Sequence, residues 1–324
     1  MPLVTRSRYQ APYILQNGHG MTIFAHLKRK VTNVNYKRIR HKTKDNDFFD
    51  VDILKNQKSN KAVCILHGLE GDSNAYYVKG LAKELYAAGL DVYCLNFRGC
   101  SGIPNKKESS YHSCFSNDLD EIIYEVLLKK KQYKQIYLSG FSLGGNVTLH
   151  YLGTKGNSLP KEISAAVVFS VPVNLSSCAK RMAQLDNKLY MTRFLDSFEK
   201  KILAKRKSFP GMKPLNRKKI TNFIQYDREY TAPQNGFHSE SHYYNFCSSR
   251  LVLHNITVPT LLVNAKDDPF LTEECFPYSE CQNSDHVFLE TPSHGGHCAF
   301  LENYSATGKT FIDWRTLNFF ENKQ

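Results

Sequence analysis

No two cysteines in this chain are spaced C-x-x-C, although nine are present: Cys64, Cys94, Cys100, Cys114, Cys178, Cys247, Cys275, Cys281 and Cys298. The count is odd and the spacing irregular, so a zinc site is not expected, and all nine read as free thiols of a reducing compartment. The chain also lacks a long apolar run. Arg6 and Arg8 are followed by no continuous apolar segment in the first thirty residues, so no signal peptide is expected. The longest apolar stretches, such as Ala165-Ala166-Val167-Val168-Phe169, are far too short to cross a bilayer. A soluble, cytoplasmic protein without a transmembrane segment is the expectation. A basic tail and an aromatic-interleaved RNA motif are missing as well. Nucleic acid is therefore not expected as a partner, despite a net charge of +13. That excess is local: 15 Lys+Arg against 6 Asp+Glu fall between Asn174 and Asn255, a net of +9.

What is present is enough for a large core. The 324 residues are 41% hydrophobic and 12% aromatic, which suits one large domain or two small ones. Residues 1–30 read as irregular, with turn signals at Ala11-Pro12-Tyr13 and Asn17-Gly18-His19-Gly20. Asn33 to Arg40 and Phe48 to Leu54 have strand composition around the polar turn 42–47, which predicts a β-hairpin. Ala62 to Leu66 is a continuous apolar run, as in an inner parallel strand. A helix is predicted from about Tyr76 to Ala88, ended by Gly89, then a strand from Asp91 to Asn96. Asn117 to Lys131 reads as a helix with Asn117 as N-cap and Leu119, Ile122, Ile123, Val126 and Leu127 as its apolar face. Strands follow at 135–139, Ile163 to Val171, Val258 to Asn264 and His286 to Leu289. A last helix runs from about Lys309 to Phe320.

Alternating apolar strands and amphipathic helices predict an α/β fold: a mostly parallel central sheet with helices on both faces. The alternation breaks after Pro172. From Asn174 to Asn255 no strong strand appears, and Met191, Phe194, Leu195, Phe198 and Ile202 recur at helical spacing among Lys200, Lys201, Lys205, Arg206 and Lys207. This basic amphipathic helix either packs onto the domain beneath or faces a membrane surface or an acidic partner. Residues 174–255 read as a helical cap inserted between sheet strands of a single domain spanning 1–324.

The chemistry centres on Gly140-Phe141-Ser142-Leu143-Gly144, between a predicted strand and a predicted helix. This is the nucleophile-elbow arrangement. A sharp turn lifts the Ser142 hydroxyl above the sheet, and a Cβ two residues to either side would strike the backbone. A serine hydroxyl needs a base within hydrogen-bond reach, and the base needs an orienting acid. In such sheets ligands meet the carboxyl ends of strands. The acid candidates there are Asp267 and Asp268, and the base candidates are His294 and His297. Spacing alone barely decides within each pair. Asp268 is preferred because it directly precedes the Pro269 turn, and His297 because Gly295 and Gly296 let the backbone bend and present it. The order Ser…Asp…His is that expected of this hydrolase type. The two oxyanion donors are assigned to the backbone N–H groups of Leu143, after the nucleophile, and Leu69, in the loop after the first inner strand. His294-Gly295-Gly296-His297 could suggest a metal, but no helix aligns the two rings, so neither a metal nor a cofactor is expected.

Five segments, spread over nearly the whole chain, resemble the YheT-like α/β-hydrolases. They are His67-Gly68-Leu69-Glu70-Gly71, Asn96-Phe97-Arg98-Gly99-Cys100-Ser101-Gly102, Gly140 to Asn146, Asn264 to Phe270, and His294 to His297. The resemblance implies an α/β-hydrolase fold and a triad of Ser142, Asp268 and His297. It also implies hydrolysis of carboxylic esters, with short-chain esters and monoacylglycerols as substrates. The family's usual N-terminal Gly-His-Leu-Gln-Thr-Ile is here Gly18-His19-Gly20-Met21-Thr22-Ile23. The expected function is thus a serine esterase that forms an acyl-enzyme. The alternatives are thioesterase, acyltransferase or peptidase chemistry on the same triad, or a non-catalytic basic binding protein.

Overall fold

The computed structural model describes residues 2–56, 58–305 and 307–322. Nine strands form one sheet: β1 (Leu3–Val4), β2 (Lys37–Lys42), β3 (Phe48–Leu54), β4 (Lys61–Leu66), β5 (Asp91–Asn96), β6 (Gln135–Phe141), β7 (Ile163–Phe169), β8 (Thr260–Val263) and β9 (Val287–Glu290). Their spatial order is β1-β9-β8-β7-β6-β4-β5-β3-β2. All neighbours from β1 to β5 are parallel, and only the β2–β3 and β3–β5 pairs are antiparallel. The inner strands are mostly apolar because both faces of the sheet are covered, with buried polar residues such as Asp52, Asp91 and Asn96 among them. The edge strand β2 instead carries Lys37, Arg38, Arg40 and Lys42, which blunt an otherwise adhesive edge. It begins at Lys37, not Asn33, which takes a left-handed φ of +60°, and it runs on to Lys42, where it pairs with Phe48.

Strand side chains alternate between two apolar clusters, one on each face. One face packs α2 (Tyr76–Ala87) and α10 (Phe311–Asn322) through Val78, Leu81, Leu85, Phe311 and Phe319. The other packs α3 (Asn117–Glu121) and its irregular continuation to Lys130, together with α4 (Leu143–Lys155). Ser116, not Asn117, occupies the N-cap of α3, and no side chain caps it.

The N-terminal thirty residues differ from their sequence reading. Leu3–Val4 pairs in parallel with β9, and Gly18–Lys28 forms helix α1, capped by Asn17 accepting from the Gly20 N–H at 2.9 Å. Asn17 and two glycines look like a turn, but Asn is a good cap and close packing requires glycine at position 18. A Cβ on Gly18 would lie 1.7 Å from the Asp267 carbonyl oxygen.

Between β7 and β8, residues 174–255 contain helices and no strand: α5 (Leu175–Met182), α6 (Lys188–Arg206), α7 (Phe223–Tyr226), α8 (Ala232–Gln234) and α9 (Glu240–Cys247), with shorter turns between them. They hold their own apolar cluster of Met182, Met191, Leu195, Phe198, Ile202 and Met212. Leu69, after β4, and Phe270, after β8, pack against it. Among the described residues, no helix is long and apolar enough to cross a membrane.

The expectation of nine free thiols fails at one pair. Cys114 and Cys247 form a disulfide between the loop before α3 and the end of α9. They are 133 residues apart in sequence, so no local spacing signals the pair. The fold brings their Cα atoms to 4.9 Å, inside the range a disulfide spans. His112 Nδ1 lies within 4.8 Å of both sulfurs.

Candidate active site

Strand β6 ends at Phe141, α4 starts at Leu143, and Ser142 sits between them at φ +52°. A left-handed serine is held here by close packing. A Cβ at Gly140 would meet the Gly144 carbonyl oxygen at 2.5 Å, and one at Gly144 would meet the His67 carbonyl oxygen at 2.4 Å. The Ser142 N–H donates to the Phe169 carbonyl at 2.9 Å, tying the turn to β7. The Asn146 N–H donates to the Ser142 carbonyl at 3.0 Å, so the serine stands at the N-terminus of a 13-residue helix. The positive end of that helix favours negative charge beside the hydroxyl.

The structure brings Ser142, His297 and Asp268 together. His297 Nε2 lies 3.0 Å from Ser142 Oγ, and its Nδ1 lies 3.0 and 2.9 Å from the two Asp268 carboxylate oxygens. The Asp268 side chain is fully buried and also accepts the Phe270 N–H at 2.9 Å. Burial opposes the imidazolium at His297, but the adjacent Asp268 carboxylate outweighs it, and the net displacement is upward from the ordinary histidine value. Asp267 and His294 sit apart from this line. Asp267 accepts the Gly296 N–H at 3.0 Å, its other oxygen lies 3.4 Å from His294 Nδ1, and burial pushes its carboxyl upward.

The His297 loop is braced by the N-terminal segment, to which the sequence reading gives no role at the site. The His297 N–H donates to Thr22 Oγ1 at 2.8 Å, and the Thr22 hydroxyl donates to the Gly18 carbonyl at 2.6 Å. Gly296 has φ +56°, and a Cβ there would lie 2.8 Å from the Thr22 hydroxyl oxygen. The Phe270 ring covers the imidazole, with centroids 4.1 Å apart. Thr22 belongs to the N-terminal block Gly18 to Ile23, where it keeps the family's threonine while Gly20 and Met21 depart, and that block is the available signal.

Leu69 and Leu143, the sequence-assigned oxyanion donors, line one cavity with Ser142 and His297. His67 holds the loop that carries Leu69. Its Nε2 accepts the Phe97 N–H at 3.1 Å, so its Nδ1 carries the proton donated to the Gly68 carbonyl at 2.7 Å. Burial pushes this imidazole down to about 4, which keeps it neutral in that tautomer. The cavity holds about 150 Å³, and Met182, Phe194, Phe198, Ile202, Met212 and Phe223 supply much of its apolar wall.

Two lysines of the predicted basic face turn inward. Lys201 donates to Glu70 at 2.6 Å, and buried Lys205 donates to the Lys107, Glu108 and Ser109 carbonyls at 2.9, 2.7 and 2.8 Å. Met191, Leu195, Phe198 and Ile202 are buried in the segment's own cluster, and Leu69 and Phe270 of the sheet loops pack against that cluster, so α6 docks on the domain beneath it. Neither Glu70 nor the inward lysines were found from sequence, because helical spacing separates apolar from charged positions and does not show a buried charge. No residue of the Arg98-Gly99-Cys100-Ser101-Gly102 block lines the cavity, though Cys100 Sγ lies 3.0 Å from Lys201 Nζ. Buried Arg98 donates to both oxygens of Asp118 and to Asp45, fixing the hairpin turn to α3.

A nine-stranded, mostly parallel sheet with a serine elbow, a histidine loop and an acid at its carboxyl edge defines a class. Residues 61–304 match the family model described as the alpha/beta hydrolase fold, and the chain belongs to that family. It is an esterase- and lipase-type member. It is 31% identical to the putative esterase YheT of Escherichia coli, over 88% of this chain and 84% of that protein. It is 25% identical to the human phospholipase ABHD3, over 96% of this chain and 78% of the relative. Among solved structures, an esterase of Pyrococcus furiosus superposes with a TM-score of 0.56 at 20% identity, covering 91% of this chain and 93% of that one. At that identity the likeness shows the fold alone.

Proposed function

We propose that this chain hydrolyses carboxylic esters through a covalent acyl-enzyme on Ser142. His297 takes the hydroxyl proton through Nε2, and Oγ attacks the ester carbonyl carbon. Asp268 holds the imidazole with its proton on Nδ1 and stabilises the imidazolium that forms. The N–H groups of Leu69 and Leu143 receive the developing oxyanion. His297 then protonates the leaving alcohol, and the same groups activate water to release the acid. Residues 174–255 cap the site and wall the acyl pocket.

The observation that carries this reading is the unbroken line from Ser142 Oγ through His297 to Asp268, at 3.0 and 2.9 Å, opening onto an apolar cavity. At about 150 Å³, against the roughly 300–1,000 Å³ of drug-sized ligand pockets, the cavity favours short acyl groups. Names borne by relatives, a monoacylglycerol lipase and a medium-chain fatty acid ethyl ester synthase/esterase of Saccharomyces cerevisiae, point to ester and acylglycerol substrates.

The test is hydrolysis of p-nitrophenyl esters from acetate to decanoate, wild type against Ser142→Ala. Turnover should peak at the short end and fall at least ~10³-fold in the variant. Undiminished turnover in Ser142→Ala would refute the assignment.

A further inference from the structure

One carboxylate in the cavity has no role in that reaction. Glu70 follows Leu69 in a tight turn closed by the Gly71 N–H on the Gly68 carbonyl at 3.0 Å. Its φ is +56°, the left-handed position that such turns normally give to glycine. A residue with a Cβ stays there only where its surroundings hold it.

Four hydrogen bonds do so, from two sides. From the sheet side, the Glu70 N–H donates to Tyr111 Oη at 2.9 Å, and the Tyr111 hydroxyl donates to Glu70 Oε1 at 2.8 Å. The Tyr111 ring is itself stacked on Phe97, with centroids 4.8 Å apart. From above, Lys201 Nζ donates to Oε1 at 2.6 Å and the Ser197 hydroxyl donates to Oε2. Ser197 and Lys201 lie one turn apart on α6. The Glu70 side chain is only 6% exposed, so water cannot readily replace partners that leave.

We infer that Glu70 is a positioning residue that latches α6 to the turn carrying the Leu69 N–H, so that docking of segment 174–255 sets the oxyanion donor. This rests on the esterase reading above for its catalytic consequence, but the latch itself is a structural coupling. When α6 lifts, the carboxylate loses Ser197 and Lys201 together, and the left-handed turn loses half of what holds it. The Leu69 N–H then leaves its aim. Substitutions at Glu70, Ser197 or Lys201 leave Phe194, Phe198 and Ile202 of the apolar wall unchanged, so the defect falls on the chemical step.

Two measurements test it. The first is steady-state hydrolysis of p-nitrophenyl butyrate by Glu70→Ala, Glu70→Gln, Lys201→Met and the Glu70→Ala/Lys201→Met double variant. Removing an oxyanion donor costs about 10²–10³-fold in kcat; misaiming one should cost on the order of 10-fold to 10²-fold, with KM within about 3-fold. Glu70→Gln should recover part of the loss, since its amide oxygen still accepts. The double variant should be no worse than the poorer single one, because both break one unit. The second is amide hydrogen exchange in wild type, Lys201→Met and Ser197→Ala, which needs no activity and leaves Glu70 in place. Exchange across residues 67–72 should quicken about tenfold or more, while the elbow segment 138–146 stays unchanged.

The latch is overturned if Glu70→Ala keeps kcat within twofold, or if exchange quickens equally throughout the chain. Should Glu70→Ala fail to fold, the Lys201→Met and Ser197→Ala exchange result decides. An inactive wild type with selective loosening at 67–72 would sink the esterase reading and leave the latch standing. An active wild type with no loosening would do the reverse.

Discussion

Replacing Asp268 with asparagine should cost about four orders of magnitude in kcat and leave the fold intact. The side chain is fully buried and shared between the Phe270 N–H, at 2.9 Å, and His297 Nδ1. An amide has one oxygen. If that oxygen keeps the Phe270 N–H, the amide nitrogen must face Nδ1. Nδ1 then has to accept, the imidazole proton moves to Nε2, and Nε2 can no longer take the proton of Ser142. The same wrong tautomer in a serine protease lowers kcat by ~10⁴, which is about 5.5 kcal/mol at 1.36 kcal/mol per decade. Asp267→Asn provides the contrast. Its amide oxygen can keep the Gly296 N–H now accepted at 3.0 Å, so kcat should fall less than about tenfold. The assay is p-nitrophenyl butyrate hydrolysis, with circular dichroism melts showing both variants folded. A folded Asp268→Asn within tenfold of wild type, or an Asp267→Asn equally impaired, would refute the assignment of the acid.

His297 must be neutral to act as a base, and burial is outweighed by Asp268 in holding its imidazolium form. The acid limb of kcat/KM should therefore have its midpoint above the ordinary histidine value of about 6.5, with activity rising as pH rises through it. The residual activity of Asp268→Asn should show that midpoint displaced downward, and an unmoved limb would contradict the coupling. Thr22→Val keeps the shape but removes the acceptor of the His297 N–H. A stability loss of about 1–3 kcal/mol in urea unfolding, with lowered kcat, is expected. Arg98→Met strips the guanidinium from Asp118, whose side chain is fully buried. Removing one partner of a buried pair costs about 3–5 kcal/mol, to be read as a lower denaturant midpoint.

Much of this was legible in the chain because period and punctuation agree there. The runs at 62–66, 92–95 and 136–138 are apolar on both faces, and each is soon followed by glycine. Ser142, Asp268 and His297 could be singled out because strand ends are where such a sheet collects its chemistry. Other features depend on tertiary contacts that no window of sequence contains. Helix α1 was hidden by Gly18 and Gly20, and Gly18 is required by an Asp267 carbonyl nearly 250 residues away. Lys201 and Lys205 carry the same charge as exposed Lys200, and only the carboxylate and carbonyls waiting beneath distinguish them. Cys114 and Cys247 meet because the end of α9 returns to the loop before α3, a path that local spacing does not encode.

The central claim is that Ser142 is an activated nucleophile, and a fluorophosphonate probe addresses it without any assumption about substrate. Folded wild type should be labelled covalently, with the adduct mapped by mass spectrometry to the peptide containing Ser142. Ser142→Ala should take no label, and Asp268→Asn should be labelled far more slowly. Absence of labelling in folded wild type, or equal labelling of Ser142→Ala, would contradict the account.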